Sequence, residues 1–195
     1  LVGSEMCIRD RAAADRIVRQ GVERGLDAVL LYPSAILGPY DYRWGLANAG
    51  LLAICQGRLW ALVDGGFDWV DVRDVAGAAI RARTVAPRGA RYLVTGQWAT
   101  VRELAELGRA HGGSPAPRLV VPLGLARAVA PIGSLLGRLM GKPLLFAPGT
   151  LRPLSMNPRI SRARAERELD YQPRPLEETV ADTLQWFDEY EPRAS

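Results

Sequence analysis

The run Asp27–Tyr32, DAVLLY, limits what this chain can fold into more than any other segment. It is short, continuous and apolar, without the polar alternation of a strand that has one wet face. It follows a helical pattern over Ala12–Arg24, where Ile17, Val18 and Val22 recur at helical spacing between charges and Gly25 supplies the stop. A helix, a glycine and then such a run predict a strand buried on both faces of a parallel sheet. Pro33 and the Gly38–Pro39 pair end it. In sheets of this kind ligands sit at the C-terminal ends of the strands. A lone parallel strand cannot satisfy its own backbone groups, so this one reads as a strand that has lost its neighbours.

The rest of the chain is α/β material. Trp44–Gln56 predicts a second helix, and Leu59–Val63 and Phe67–Val72 predict short strands around the turn signal Asp64–Gly65–Gly66. Asp74 is placed to cap an Ala-rich helix, and Arg91–Thr95 reads as another strand. Thr100 and Glu103 have the spacing of a capping box for a helix running to His111. Gly112–Pro117 is a loop by composition. Gly133, Gly137 and Gly141 recur every fourth residue, a pattern that suits a small-residue helix packed on its own domain. Ser161–Leu169 predicts a charged helix, and Pro175 opens a last one with Leu176, Val180, Leu184 and Phe187 along one face. Asp188–Ser195 is expected to fray.

Composition excludes several classes. The formal charge is +4 over 195 residues, but the basic residues are interleaved with acids, as in Arg162, Arg164, Glu166, Arg167 and Glu168. A nucleic-acid binder would cluster them, so no nucleic-acid partner is expected. Lys142 is the sole lysine. Cys7, Cys55 and the one histidine, His111, have no metal-ligand spacing. Leu119–Phe146 is rich in apolar residues but interrupted by Pro122, Arg127, Pro131, Arg138 and Lys142. A spanning helix wants about 20 apolar residues in a row, so no membrane span and a soluble, cytoplasmic chain are expected.

Leu1–Asp10, LVGSEMCIRD, reads as the translation of a common transposon-based sequencing adapter, with Arg11 at its junction. Residues 1–11 are therefore expected to be an artefact, and biological sequence to begin at Ala12.

Three stretches carry a family resemblance. AAADRIVRQ with GLDAVLLYPSAILGP resembles the segment after the catalytic Tyr-x-x-x-Lys of extended short-chain dehydrogenases/reductases. VDGGFDWVDVRDVAGAAIRA is similar to that family's Gly-Gly, apolar strand and Asp-Val-Ala stretch. ISRARAERELDYQPRPLEETVADTLQWF resembles its C-terminal signature, with Asp170 where glycine is usual. Each motif is weak alone; their order and spacing from Ala12 to Tyr190 make them strong together. The pattern is nearest the dihydroflavonol-4-reductase-like and hydroxysteroid-dehydrogenase-like members of the NAD-dependent epimerase/dehydratase superfamily.

The resemblance implies an α/β fold: residues 12–195 would be the C-terminal part of a Rossmann-type NAD(P)-binding fold plus a mostly helical substrate-binding subdomain. It implies NAD or NADP as cofactor in the parent protein, with Tyr32, Pro33, Ser34 and Ile36 facing the nicotinamide end. It puts Tyr40, Tyr42, Trp44 and Phe67 at the substrate pocket. Pro33 serves equally as a strand terminator, and the loop aromatics equally as lids or core fillers. Phe67 stands where nucleotide-sugar enzymes carry a diphosphate-binding arginine, which points to a small apolar substrate. Arg73 reads either as another anion contact or as a surface ion pair. The family's lysine would fall at Arg11 and its tyrosine at Cys7, and no Gly-x-x-Gly-x-x-Gly turn is present. No catalytic residue is assigned to this chain. The expected function is that of a fragment of an NAD(P)-dependent dehydrogenase/reductase acting on a carbonyl or alcohol, inactive as given. A nucleotide-sugar epimerase/dehydratase fragment, a non-catalytic dinucleotide-binding sensor and an interaction protein remain open. The parent is expected to bind a small-molecule substrate; members of the family often dimerise through the helix that here begins at Ala12, and the resemblance leaves a homodimer open.

Overall fold

A computed structural model describes residues 2–126, 128 and 160–190. The glycine triplet Gly133, Gly137 and Gly141, most of the apolar stretch after Val121, and residues 191–195 of the expected tail lie outside them. In chain order the described elements are α1 (Val2–Glu23), β1 (Leu30–Pro33), β2 (Ala35–Leu37), α2 (Leu46–Cys55), β3 (Ala61–Val63) and β4 (Gly66–Asp71). They continue with α3 (Val72–Val85), β5 (Arg91–Val94), β6 (Gln97–Thr100), α4 (Val101–Ala110), β7 (Leu119–Val121), α5 (Ala163–Leu169) and α6 (Leu176–Tyr190).

Helix α1 starts earlier than expected and takes in the adapter-like string. It ends as expected. The Gly25 N–H bonds the Val22 carbonyl at 3.0 Å and the Leu26 N–H bonds that of Gly21 at 2.8 Å. Gly25 sits at φ 107°, which completes a Schellman stop.

The strand after it has a neighbour within the chain, contrary to expectation. β1 pairs in parallel with β5, Leu30 opposite Arg91 through Pro33 opposite Val94. Nor is it buried on both faces: Leu30, Leu31 and Tyr32 are half-buried and Pro33 is exposed. Pairing along one edge and packing on one face cannot enclose four residues. After Ser34 the chain passes into β2, which pairs in parallel with β4, and β4 pairs antiparallel with β6. β3 pairs in parallel with β7. The strands on either side of Asp64–Gly65–Gly66 thus belong to different sheets and form no hairpin. β6 and β7 were not foreseen, since four- and three-residue strands leave too little periodicity to read.

β4 separates two cores. Trp69 faces one, with Leu37, Leu51, Leu104 and the α6 residues Leu176, Val180, Leu184 and Phe187. Val70 faces the other, with Ala78 and Ala82 of α3, Tyr92 and Val94 of β5, and Leu169 and Tyr171. Thr100 caps α4, accepting from the Glu103 N–H at 3.0 Å while Glu103 accepts from the Thr100 N–H at 2.7 Å. The cap of α3 is Asp71, not Asp74: its carboxylate accepts from the Arg73 N–H at 2.7 Å. Asp74 lies inside the first turn of the helix. Among the described residues no helix is long and apolar enough to cross a membrane.

Candidate functional site

β1 and β5 run parallel, and their C-terminal ends place Pro33 and Ser34 beside Val94. The Ser34 N–H donates to the Val94 carbonyl at 3.2 Å. The hydroxyls of Ser34 and of Thr95, the residue after β5, are both buried without a partner among the described residues. Buried hydroxyls are nearly always paired, so these two mark the strand ends as chemically incomplete. Tyr32 is turned elsewhere. Its hydroxyl donates to the Asp15 carboxylate on α1, and burial together with that bond pushes the phenol up from its ordinary value. Ile36 is 42% exposed on β2. Of the four residues the resemblance gives to the cofactor, Ser34 alone carries a side-chain polar atom without a partner among the described residues.

The loop from Gly38 to Gly45 leaves β2 and carries Tyr40, Tyr42 and Trp44. It is tied at its base by Asn48, which donates to the Gly38 carbonyl at 2.9 Å and accepts from the Gly38 N–H at 3.3 Å. Asp41 holds the turn from within, accepting from the Gly45 N–H at 2.6 Å, the Arg43 N–H at 3.2 Å and the Asn48 amide at 3.0 Å. Tyr40 and Trp44 sit at φ 68° and 56°. A left-handed backbone on such bulky residues costs about 1–3 kcal/mol each and persists only where the surroundings over-determine it.

Their side chains meet α6. Tyr40 and Tyr42 pack edge-to-face on Trp186 at 6.1 and 5.4 Å between ring centroids. Tyr42 also meets Tyr190 at 5.1 Å, and Trp44 meets Phe187 at 5.0 Å. Phe67 is half-buried on β4 and packs on Trp69 at 5.0 Å. The fold therefore brings Tyr40, Tyr42 and Trp44 together on α6, while Phe67 packs into the core beside Trp69. Trp186 and Tyr190 are not among the residues the sequence offers for the pocket, although Trp186 lies within the stretch that resembles the family's C-terminal signature.

Arg73 is neither a free anion contact nor a simple surface pair. Its guanidinium grips Asp71 with two bonds of 2.9 and 2.7 Å and reaches Asp182 on α6 at 2.6 Å. Burial works against the Asp71 carboxylate, but the Arg73 bonds prevail and hold it below the usual carboxylate range. Arg174 joins the group through Asp74 at 2.9 Å. Such fully partnered pairs fix geometry more than they stabilise.

No family model matches the chain. Two curated relatives do. The chain is 33% identical to the sterol demethylase protein B of Methylococcus capsulatus over 183 residues, 93% of this chain and 56% of that one. It is 24% identical to a putative dihydroflavonol 4-reductase of Synechocystis over 178 residues, 89% of this chain and 52% of that one. The crystal structure of gox2253 superimposes with a TM-score of 0.74 at 26% identity, over 94% of this chain and 55% of that one. The chain's homologues and structural neighbours are NAD-dependent epimerase/dehydratase and dihydroflavonol-reductase-like members of the short-chain dehydrogenase/reductase family. Its mixed α/β arrangement with parallel strands matches that of Rossmann-type neighbours. A further member of that fold, RMD from Pseudomonas aeruginosa, is known complexed with NADPH; it matches at 20% identity and a TM-score of 0.62, over 91% of this chain and 54% of that one. The chain spans about half the length of the curated relatives it matches.

Proposed function

We propose that this chain forms the substrate-side part of an NAD(P)-dependent reductase whose whole gene product transfers hydride between the nicotinamide and an alcohol or carbonyl on a small apolar molecule. The observation that carries this reading is the pair of parallel strand ends, β1 and β5, with the unpartnered Ser34 hydroxyl at their C-terminal side. A polar atom without a partner there among the described residues fits the nicotinamide end of the cofactor, with Pro33 and Ile36 forming the neighbouring wall and the Tyr32 ring turned away to Asp15 of α1. Bound at that place, NAD(P) supplies or accepts the hydride. Phe67, where an arginine would serve a diphosphate, supports an apolar substrate, as does the relative named for sterol demethylation. Residues 12–195 would make up this part, and residues 1–11 would be adapter-derived, with the proton-handling tyrosine and lysine encoded upstream of Ala12. The reading includes a cytoplasmic enzyme with no nucleic-acid partner.

The test is to read the genomic sequence upstream of the Ala12 codon, express the whole gene product and titrate it with NADH and NADPH. Hydride transfer is then assayed with a panel of hydroxysteroids and, in parallel, UDP-glucose. Reduced-cofactor binding and turnover of a hydroxysteroid are expected. Turnover of the nucleotide sugar alone would establish an epimerase or dehydratase. Cofactor binding without turnover of either would point to a sensor, and no binding would sink the proposal.

A further inference from the structure

The loop Gly38–Gly45 holds two bulky residues in left-handed backbone, and the bonds of Asp41 and Asn48 account for its base but not for its tip. The tip is braced from the far end of the chain. Trp186 receives the edges of both Tyr40 and Tyr42, and Tyr190 stacks on Trp186 at 4.8 Å with 10° between the planes. Phe187, buried in the core one residue on, takes Trp44. One helix therefore touches all three loop aromatics. That helix is itself clamped: Asp182, one turn before Trp186, is bound by Arg73, which is bound in turn by the buried Asp71 at the end of β4.

We propose that Trp186 is a positioning residue for the substrate loop, holding Tyr40 and Tyr42 in the geometry that receives substrate, with the Arg73–Asp182 pair fixing the helix that carries it. This rests on the proposed apolar-substrate reductase and on the resemblance that puts Tyr40, Tyr42 and Trp44 at its substrate pocket. The mechanism is steric and electrostatic. Edge-to-face rings have a preferred geometry, so moving the indole lets both tyrosines swing and releases the left-handed turn at Tyr40. Asp182 acts one step further back, by setting the rotation of α6.

Hydrogen exchange on the 195-residue chain tests the brace without need of activity. In Trp186→Ala the Arg43 and Gly45 amides, which both bond to Asp41, should exchange about tenfold faster, the factor that two such ring pairs are worth. Amides of β4 and α3 should hold their rates. Trp186→Phe should restore most of the protection, and Asp182→Asn should give a smaller loss in the same amides. If Trp186→Ala does not fold, Tyr42→Leu removes the contact from the loop side and must show the same local loss. Unchanged loop protection, or a uniform loss across the chain, overturns the brace. In the whole gene product, Trp186→Ala should raise KM for the hydroxysteroid about tenfold while leaving NADH affinity alone. A loosened loop with unchanged KM overturns the role toward substrate. Wild-type protein that binds no NADH overturns instead the functional reading on which that role depends, and leaves the exchange result to judge the brace.

Discussion

Asp170 shows how one residue can occupy a place shaped for another. It follows α5 at φ 53° and ψ 40°, the left-handed stop that glycine adopts without strain and that the family usually fills with glycine. Its side chain is exposed. Asp170→Gly should therefore raise stability by about 0.5–1 kcal/mol, read as a shift of the urea midpoint at constant slope. A drop would mean that the carboxylate holds something at the helix end. Asp71 is the opposite case, a buried carboxylate whose whole value lies in its partners. Its folded pKa is depressed below the unfolded value of about 3.9. The stability it contributes is thus fully present above that value and is lost as pH falls through the lower, folded one. Urea midpoints taken from pH 6 down to pH 3 should fall more steeply in the wild type than in Asp71→Asn. The variant itself should be less stable at pH 7 by about 3 kcal/mol, because Arg73 then loses the buried one of its two carboxylate partners and keeps only Asp182.

At the scale of elements, two junctions carry much of the arrangement. One is the turn between β5 and β6. A methyl group on Gly96 would stand 1.8 Å from the Trp69 carbonyl oxygen on β4, a clash of backbone on side chain that no rotamer relieves. The Gly96 N–H meanwhile donates to the buried Asp68 carboxylate at 2.8 Å. Gly96→Ala should cost on the order of 3 kcal/mol, seen in the thermal midpoint. Cost near zero would mean that β4 and β6 can part without penalty. The other junction is the start of α4, where Thr100 and Glu103 cap each other. Thr100→Ala should cost about 1 kcal/mol and leave the folded secondary structure intact by circular dichroism.

For the whole molecule, the open question is how much of α1 belongs to the fold. The helix runs from Val2 to Glu23, and among the described side chains the links that tie it down lie in its second half. The Tyr32 hydroxyl bonds Asp15, and Leu26 closes over Gly21 at its end. Residues from Arg9 to Ala14 are exposed. A chain beginning at Ala12 should keep its thermal midpoint within about 2 °C of the full chain. A larger fall would make residues 1–11 part of the structure and count against their reading as an adapter.

Local signals fixed by neighbouring residues were legible without coordinates. The stop at Gly25, the capping box at Thr100 and the apolar stripe of the last helix depend on residues within a few positions of one another, so periodicity and cap chemistry suffice to read them. The family likewise showed in the order of short motifs, and with it the α/β class. What needed the tertiary structure were the pairings between distant segments. β1 found its partner about sixty residues later in β5, an association that no local pattern encodes because a parallel neighbour can come from anywhere in the chain. Asp71 caps α3 in place of Asp74 because the helix begins at Val72, earlier than the sequence suggests, which leaves Asp74 inside the first turn and free to bond Arg174. The aromatics of the loop after Gly38 could be named as candidates from sequence. That they rest on Trp186 and Tyr190 was decided by packing, which acts through space and leaves no mark in the spacing of residues along the chain.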